Sequence, residues 1–195
     1  MSQFSSSREQ TFSKLFQSIA EKCHQGHQRT PDLIDPQGKA FLSSIGYTEQ
    51  EFFAFIGDFI DIRGESLFWY RKAADQGDTV AQSSLGYIYA NGLGTAQDYA
   101  EAAFWYRKAA ETGDVSSQNG LGYLHANGFG VAQDYSEAAF WYRKAAEKGS
   151  DYAQLYLGYQ YRHGQGVPQD NSQAIFWFRR AAEQGNIQAR KELGI

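Results

Sequence analysis

A single cysteine, Cys23, is present among the 195 residues of the chain. It cannot form an internal disulfide, so the sequence differs from secreted proteins that depend on paired cysteines and fits a reducing compartment. Residues 1–8 hold no apolar run of the kind that a secretory signal needs, and no apolar stretch is long enough to cross a bilayer. We therefore expect a cytoplasmic protein without a membrane partner.

The chain also lacks an excess of basic residues. Its 18 Lys and Arg residues are outnumbered by 22 Asp and Glu residues, which gives a formal net charge of −4. Proteins that bind nucleic acids use positive charge to displace the counterions of the phosphate backbone. A nucleic-acid partner is therefore not expected.

Catalytic patterns are missing as well. No Ser-His-Asp, Cys-His or paired-carboxylate arrangement has a supporting sequence context. Three Gly-x-Gly pairs follow predicted helices rather than strands, so they indicate turns and not nucleotide-binding loops. These pairs are Gly92-x-Gly94, Gly128-x-Gly130 and Gly164-x-Gly166. The sequence predicts neither an enzyme nor a cofactor.

Three metal-binding side chains lie close together at Cys23, His24 and His27. Cys23 and His27 are one helical turn apart, which would allow both to hold one ion. Cys23 also continues the apolar stripe of a predicted helix, and no fourth ligand lies nearby in the sequence. We predict no metal site.

What the chain contains instead is a repeated phrase. Trp-Tyr-Arg-Lys-Ala-Ala occupies residues 69–74, returns at 105–110 and 141–146, and becomes Trp-Phe-Arg-Arg-Ala-Ala at 177–182. The four tryptophans of the protein begin these phrases at intervals of 36 residues. A period of this length indicates a unit that buries its apolar face only by stacking on copies of itself.

Each unit is predicted to contain two helices. Between residues 81 and 112, the first helix has apolar residues three and four apart and ends at the Asn-Gly-Leu-Gly loop of residues 91–94. Asp98 is predicted to cap the second helix, with Glu101 completing a capping box. Alanines of the second helix should let neighbouring helices approach closely around the aromatic rings.

This pattern resembles the Sel-1-like repeat, a relative of the tetratricopeptide repeat. Ala, Leu-Gly, Tyr, Gly-x-Gly, Asp, Ala, Trp-Tyr and Lys-Ala-Ala follow one another between residues 81 and 110. The departures are small: Ser117 replaces the opening Ala, and His125 replaces a Tyr and is expected to be a packed core histidine. The resemblance implies an all-α fold, a right-handed α/α superhelical solenoid that binds a protein or peptide on its concave face.

A protein–protein interaction module, acting as a scaffold, adaptor or regulator in a bacterial cytoplasm, is the function that the resemblance implies. A narrower alternative is an immunity or neutralising protein for one cognate partner. Some relatives are linked to β-lactam hydrolysis, but those have paired cysteines. This chain has neither such pairs nor an activated serine, so the hydrolase alternative is not favoured.

The predicted domains are a non-repeat helical region at 1–64 and a repeat region from 65 to 195. The repeat region comprises a half repeat at 65–77, full repeats at 78–113, 114–149 and 150–185, and a partial repeat at 186–195. Ile187, Leu193 and Ile195 form an abbreviated apolar cap at its end. Our hypothesis is weak homo-oligomer formation through this end.

Residues 1–64 are predicted to contain three helices that cap the first repeat. The first runs up to Cys23, and the second begins at Pro36 and stops at Gly46. The second helix presents Ala40, Phe41 and Ile45. Thr48 and Glu51 form a capping box that opens the third helix, which is rich in Phe. The alternative is that this Phe-rich surface is itself an interface.

Tyrosines recur on the side of the first helices that the apolar stripe leaves uncovered. Positions four, seven and eleven residues apart share one helix face. Tyrosine offers a large contact area at modest entropic cost, which suits a binding surface. The predicted partner-binding residues are Tyr87, Asn91, Tyr123, Asn127, Tyr152, Tyr156, Tyr159 and His163.

Two alternatives accompany this prediction. Tyr87, Tyr123 and Tyr159 recur at the repeat spacing, so they either bind a partner or pack between adjacent repeats. Basic pairs such as Arg71-Lys72 could form a ladder for a ligand, yet each Arg has an acid four residues later. We interpret the basic pairs as solvated i,i+4 ion pairs.

Overall fold

The structure is a computed structural model that describes residues 36–44, 46, 48, 51 and 65–195. The chain forms two compact units, Met1–Phe52 and Phe53–Ile195. The predicted helix that ends near Cys23, the Cys23, His24 and His27 group, and the Phe-rich helix lie outside the described residues. Their prediction as a cap for the repeats stays a prediction.

Helix α1, Pro36–Ser44, is the described helix of the first unit, and Gly46 follows it with a left-handed φ of 83°. Gly38 and Leu42 are its buried residues, and they lie one turn apart on one face. Ala40, one of the residues that this helix was predicted to present, is exposed and lies about 200° around the helix from both buried residues. The side chains of Phe41 and Ile45 lie outside the described residues.

Thr48 and Glu51 form the predicted capping box. The Glu51 N–H donates to Thr48 Oγ1 over 3.1 Å, and the Thr48 N–H donates to Glu51 Oε2 over 2.8 Å. The Thr48 N–H and hydroxyl hold the pKa of the Glu51 carboxyl below its ordinary value. The helix start is confirmed.

The described part of the second unit contains helices and no strands. Each helix packs against the next one, and α3 also contacts α5. The helices are α2 Glu65–Asp75, α3 Thr79–Asn91, α4 Tyr99–Thr112, α5 Val115–Asn127, α6 Tyr135–Glu147, α7 Asp151–His163, α8 Asn171–Glu183 and α9 Ile187–Leu193. This confirms the predicted all-α solenoid, in which α3–α4, α5–α6 and α7–α8 are the helix pairs of three repeats.

Asp98 caps α4 as predicted, because its carboxylate accepts the Glu101 N–H over 3.0 Å. The reciprocal half of the capping box was predicted wrongly. The Asp98 N–H donates to the Tyr89 carbonyl over 2.9 Å instead. The Glu101 carboxylate accepts from Trp105 Nε1 over 3.2 Å and from Arg71 over 3.1 Å. Glu101 thus anchors the buried tryptophan and an inter-repeat ion pair.

Helical glycines set the distance between paired helices. A Cβ placed on Gly122 would lie 2.6 Å from the buried ring of Tyr142, so only glycine fits at the present spacing. The equivalent pairs are Gly86 with Tyr106 and Gly158 with Phe178. Each glycine belongs to a first helix and each ring to the second helix of the same repeat.

The second glycine of the Gly-x-Gly turn brings neighbouring repeats into backbone contact. Gly166 has a φ of 71°, and a Cβ there would lie 2.0 Å from the Tyr135 carbonyl oxygen at the start of α6. Gly130 approaches the Tyr99 backbone in the same way. The Gly-x-Gly pairs are therefore turns, as predicted, and at Gly130 and Gly166 they also fix the stacking of neighbouring repeats.

A buried glutamine adds a polar connection between repeats. Its Nε2 donates to a carbonyl in the last turn of the preceding second helix, which satisfies a group that a helix end leaves open. The pairs are Gln82 with Ala74 at 3.0 Å, Gln118 with Ala110 at 3.1 Å and Gln154 with Ala146 at 3.1 Å. At the equivalent position, Arg190 Nε reaches the Ala182 carbonyl over 3.4 Å. Sequence analysis missed these residues, although they recur every 36 positions.

Replacing Gly166 with alanine should destabilise the protein more than the same change at Gly164. Both glycines have a left-handed φ, 71° and 67°, so alanine brings a similar backbone strain of about 1–2 kcal/mol per site. A Cβ at Gly164 meets the Gln169 side chain at 3.2 Å, whereas a Cβ at Gly166 meets the Tyr135 backbone. The clash should cost roughly 1–3 kcal/mol more in the free energy of unfolding. Chemical denaturation measures the free energy of unfolding of both variants. Equal losses in the two would contradict the backbone contact.

Candidate partner-binding groove

A groove of about 520 Å³ lies on the first helices of the repeats. We call it the tyrosine groove. Its lining residues come from α3, α5, the loop before α4, the start and middle of α4, and the start of α7, and none of them carries a formal charge. They are Tyr87, Ala90, Asn91, Gln97, Tyr99, Tyr106, Ser116, Asn119, Gly120, Tyr123, Leu124 and Tyr152.

Two of the predicted binding tyrosines are exposed on this face. Tyr87 is 58% exposed and Tyr123 is 40% exposed, although both rings are large and apolar. Both line the groove, one from α3 and one from α5. The interpretation that they are wholly packed between repeats does not fit this exposure.

Asn91 and Asn127 hydrogen-bond to the last turns of α3 and α5. Asn91 Nδ2 donates to the Tyr87 carbonyl over 2.8 Å, and Asn127 Nδ2 makes the same bond to the Tyr123 carbonyl over 2.8 Å. Both side chains are exposed, and Asn91 lines the groove. These bonds hold the last turn of each helix beneath the exposed tyrosine.

The loop before α4 forms one wall of the groove, and sequence analysis did not identify it. Gln97 Nε2 donates to the Ala90 carbonyl over 2.8 Å and to the Tyr99 hydroxyl over 3.0 Å. The Tyr99 ring stacks on Phe129 with centroids 4.9 Å apart. Gln133 repeats the Gln97 bonds one period later. A Gln directly before the Asp that caps each second helix, at Gln97, Gln133 and Gln169, was the available signal.

Tyr106 forms the floor of the groove. Its ring edges face Gly86 on one side and Gly120 on the other, where a Cβ would lie 2.3 Å and 2.7 Å from ring atoms. Burial raises the pKa of Tyr106 to about 12, with smaller contributions from Tyr87 and Asp114. The described residues provide no hydrogen-bond partner for its hydroxyl.

The predicted binding residues of the third repeat form a row of rings. Centroids lie 4.5 Å apart from Tyr152 to Tyr156, 6.2 Å from Tyr156 to Tyr159 and 6.5 Å from Tyr159 to His163. The three tyrosines are half-buried and His163 is exposed. Tyr152 reaches the tyrosine groove, so the row closes one end of it. The rings also stack on the core, and burial raises the pKa of Tyr152.

Tyr159 is fixed by a polar network at α9. Its hydroxyl donates to Glu192 Oε1 over 2.7 Å, and Gln188 Nε2 donates to the same oxygen over 3.0 Å. Arg162 pairs with Glu192 and lies 4.5 Å from the centroid of the Phe178 ring. The Tyr159 hydroxyl, followed by Arg162, lowers the pKa of the Glu192 carboxyl.

The second helices carry a different row of exposed rings, which sequence analysis missed. Phe104, Phe140 and Phe176 are exposed to between 47% and 50%, and each packs edge-on against the tryptophan that follows it. A cation lies over each ring: Lys108 at 4.6 Å, Lys144 at 4.5 Å and Arg180 at 5.9 Å. These contacts partly cover the phenylalanines.

The interpretation of the basic pairs as i,i+4 ion pairs was wrong. Among the side chains that the structure describes, the ion pairs are Arg71–Glu101 and Arg162–Glu192. Arg143 instead donates to the Tyr161 hydroxyl over 2.8 Å. Arg71 and Arg143 therefore contact the neighbouring repeat rather than the acid four residues later on their own helix. His125 lies 3.3 Å from Arg107 and is buried, which confirms it as a packed core histidine.

Residues 36–44 and 65–195 contain no group of three or more His, Cys, Asp or Glu residues that could hold a metal ion. No helix in the described part of the chain is long and apolar enough to span a membrane. At the end of the repeats, Ile187 and Ile195 are exposed. Association through that end stays a prediction.

The family model of the Sel1 repeat matches residues 63–78, 79–114, 115–150 and 151–186. A solved structure of c5321, a protective antigen present in uropathogenic Escherichia coli strains and displaying an SLR fold, is 37% identical with a TM-score of 0.72. That match covers 81% of this chain and 36% of c5321. A Sel1 repeat protein from Oxalobacter formigenes is 30% identical with a TM-score of 0.68, over 81% of this chain and 47% of that one.

Helicobacter pylori cysteine rich protein B is 26% identical with a TM-score of 0.51, over 64% of this chain and 90% of that one. A search of curated proteins found no match. This chain therefore spans less than half the length of the Escherichia coli and Oxalobacter structures.

Glu192→Gln should reduce stability at neutral pH and have a smaller effect in acid. The folded-state pKa of Glu192 lies below its ordinary value of 4.5, so the ionised carboxylate stabilises the fold above that pH. The contribution is lost as the pH falls through the lowered pKa. Denaturation at pH 7 and near pH 3 should give a stability difference from the unsubstituted protein that shrinks in acid.

Glu147→Gln provides the control, because Glu147 is exposed and its side chain makes no hydrogen bond to the described residues. It should have little effect on the free energy of unfolding at either pH. A loss for Glu192→Gln that stays constant between the two pH values would contradict the proposed role of the ionised carboxylate.

Proposed function

Because the chain belongs to the Sel1 repeat family, whose members are generally protein–protein interaction modules, we propose that it binds a peptide segment of a partner protein in the tyrosine groove. The exposure of Tyr87 and Tyr123 on the lining of this groove is the observation that carries the proposal. Large rings that a fold leaves in water at the repeat spacing can bury their apolar area only against something else.

The chemistry of the groove suits a polypeptide. Its volume of about 520 Å³ lies within the range of about 300–1,000 Å³ that is typical of ligand sites. Tyrosine rings provide contact area, while tyrosine hydroxyls and the side-chain oxygen of Asn91 can exchange hydrogen bonds with a peptide backbone. Such a combination recognises a chain by shape and hydrogen bonding.

The row of tyrosines in the third repeat has a supporting role in this proposal. Tyr152 offers one edge to the groove, while Tyr156 and Tyr159 are held by ring stacking and by Glu192. His163 extends the row at the surface. A rigid wall of this kind reduces the entropy that binding costs, because its side chains are already ordered.

We also propose that the protein acts in a bacterial cytoplasm. The single cysteine supports a reducing compartment, and the similar solved structures named above are those of bacterial proteins. Its role there would be that of a scaffold, adaptor or regulator.

Photo-crosslinking in cells can locate the binding face. Benzoylphenylalanine would replace Tyr123 in the groove or Phe140 on the second helix of the same repeat. The two aromatic residues are similarly exposed, at 40% and 49%, so each substitution presents the probe to solvent to a similar degree. A protein partner should be captured from position 123 and not from position 140. Capture from position 140 alone would move the interface to the second helices.

The affinity for the captured partner should fall when the exposed tyrosines are truncated. Tyr87→Ala combined with Tyr123→Ala should weaken binding at least about tenfold, because buried interface tyrosines often contribute about 2 kcal/mol or more. The fold should persist, since neither ring is buried. Phe104→Ala combined with Phe140→Ala is the matched control on the second helices and should bind as before. Calorimetry measures both, and equal losses in the two variants would contradict the proposal.

A further inference from the structure

Tyr106 and Tyr142 occupy the same position in successive repeats but differ in what covers them. Tyr156 stacks on Tyr142 with centroids 5.5 Å apart and an interplanar angle of 18°, and Tyr152 lies 6.2 Å from the same ring. Tyr142 is left 1% exposed. In the third repeat, therefore, the chain itself supplies two rings that complete this site.

One repeat earlier, the covering rings are absent. Ser116 and Gly120 stand at the positions of Tyr152 and Tyr156, 36 residues before them. Tyr106 is 8% exposed and lines the tyrosine groove beside these two small residues. Its hydroxyl, like the Tyr142 hydroxyl, makes no hydrogen bond to the described residues. The structure thus contains a filled site over Tyr142 and an open counterpart over Tyr106.

The charge of the lining restricts what can fill the open site. All twelve lining residues are uncharged, so an ionised group would lose its hydration without gaining a counter-charge. A neutral aromatic ring fits this environment, since ring pairs gain about 0.5–1.5 kcal/mol beyond area burial. A polar group on the ring or on the neighbouring peptide backbone can reach the Tyr106 hydroxyl.

We propose that the open site beside Tyr106 and Ser116 receives an uncharged aromatic side chain of the partner peptide, which takes the place that Tyr152 fills beside Tyr142. This inference rests on the proposed function and adds a specificity to it. The partner is identified by a neutral segment that carries a tyrosine-like residue.

Three small probes test whether the unsubstituted protein prefers a neutral aromatic group. N-acetyl-L-tyrosinamide is a neutral phenol, N-acetyl-L-leucinamide is neutral without a ring, and N-acetyl-L-tyrosine carries a carboxylate. Amide chemical shifts in nitrogen–proton NMR spectra are followed during titration with each. The tyrosinamide should cause saturable shifts at Ser116, Gly120 and Tyr123, and the other two should bind at least about fivefold more weakly.

A pair of variants at Ser116, an exposed position, tests where the aromatic group binds. Ser116→Tyr places a ring where Tyr152 stands in the next repeat and should reduce tyrosinamide binding at least about tenfold by occupying the site. Ser116→Ala removes only a hydroxyl and should bind like the unsubstituted protein. Circular dichroism and a thermal melt establish that both variants fold.

Two results would overturn the inference: leucinamide binding as tightly as tyrosinamide, or Ser116→Tyr binding as well as Ser116→Ala. The absence of saturable shifts with all three probes would also overturn it. The crosslinking experiment at Tyr123 and Phe140 is independent of these titrations. A partner captured at Tyr123 together with failed titrations would leave the interaction function standing without the aromatic specificity, whereas no capture would remove the function itself.

Discussion

The repeats depend on the contact between a residue without a side chain and a large ring on the paired helix. At Gly122 there is no space for a Cβ, and the Tyr142 ring fills that space with almost no exposure to water. Because protein interiors are close-packed, such a contact fixes the distance and the rotation of the two helices together. The second glycines of two Gly-x-Gly turns, Gly130 and Gly166, then fix the stacking on the preceding repeat, since Gly166 touches the backbone of Tyr135 and Gly130 that of Tyr99. The helical glycine and the ring that faces it therefore specify how the two helices of a repeat pair. The turn glycine specifies how neighbouring repeats stack.

A scaffold fixed in this way allows other positions to vary without loss of the fold. The positions held by Ser84, Gly120 and Tyr156 are equivalent in successive repeats, yet α3, α5 and α7 keep one length and one capping geometry. At Gly120 the Tyr106 ring lies against the helix backbone, and the small Ser116 beside it leaves the groove open, whereas Tyr156 and Tyr152 cover Tyr142 in the next repeat. The binding surface is thus set by side-chain volume at one repeat position, while the backbone stays constant.

Sequence periodicity predicted the helices, their caps and the location of Tyr87 and Tyr123, because exposure and burial follow directly from helical spacing. It could not predict contacts between repeats. Glu101 was assigned to a capping box by local spacing, but Trp105 and the more distant Arg71 offered better donors. The row of tyrosines in the third repeat was correctly identified as an aromatic cluster. Its stacking on Tyr142 depends on the distance between α6 and α7. Residue spacing along one helix gives no information about that distance.

The distribution of cations explains why one aromatic face is proposed to bind and the other is not. Phe140 is about as exposed as Tyr123, so exposure alone cannot separate the two faces. Lys144 lies 4.5 Å from the Phe140 ring and engages its face, an interaction worth about 0.5–1 kcal/mol at the surface. No cation lies over Tyr87 or Tyr123 in the described part of the chain. A partner that docked on Phe140 would have to displace or bury a charge, whereas one that enters the tyrosine groove displaces only water, so the desolvation cost favours the groove.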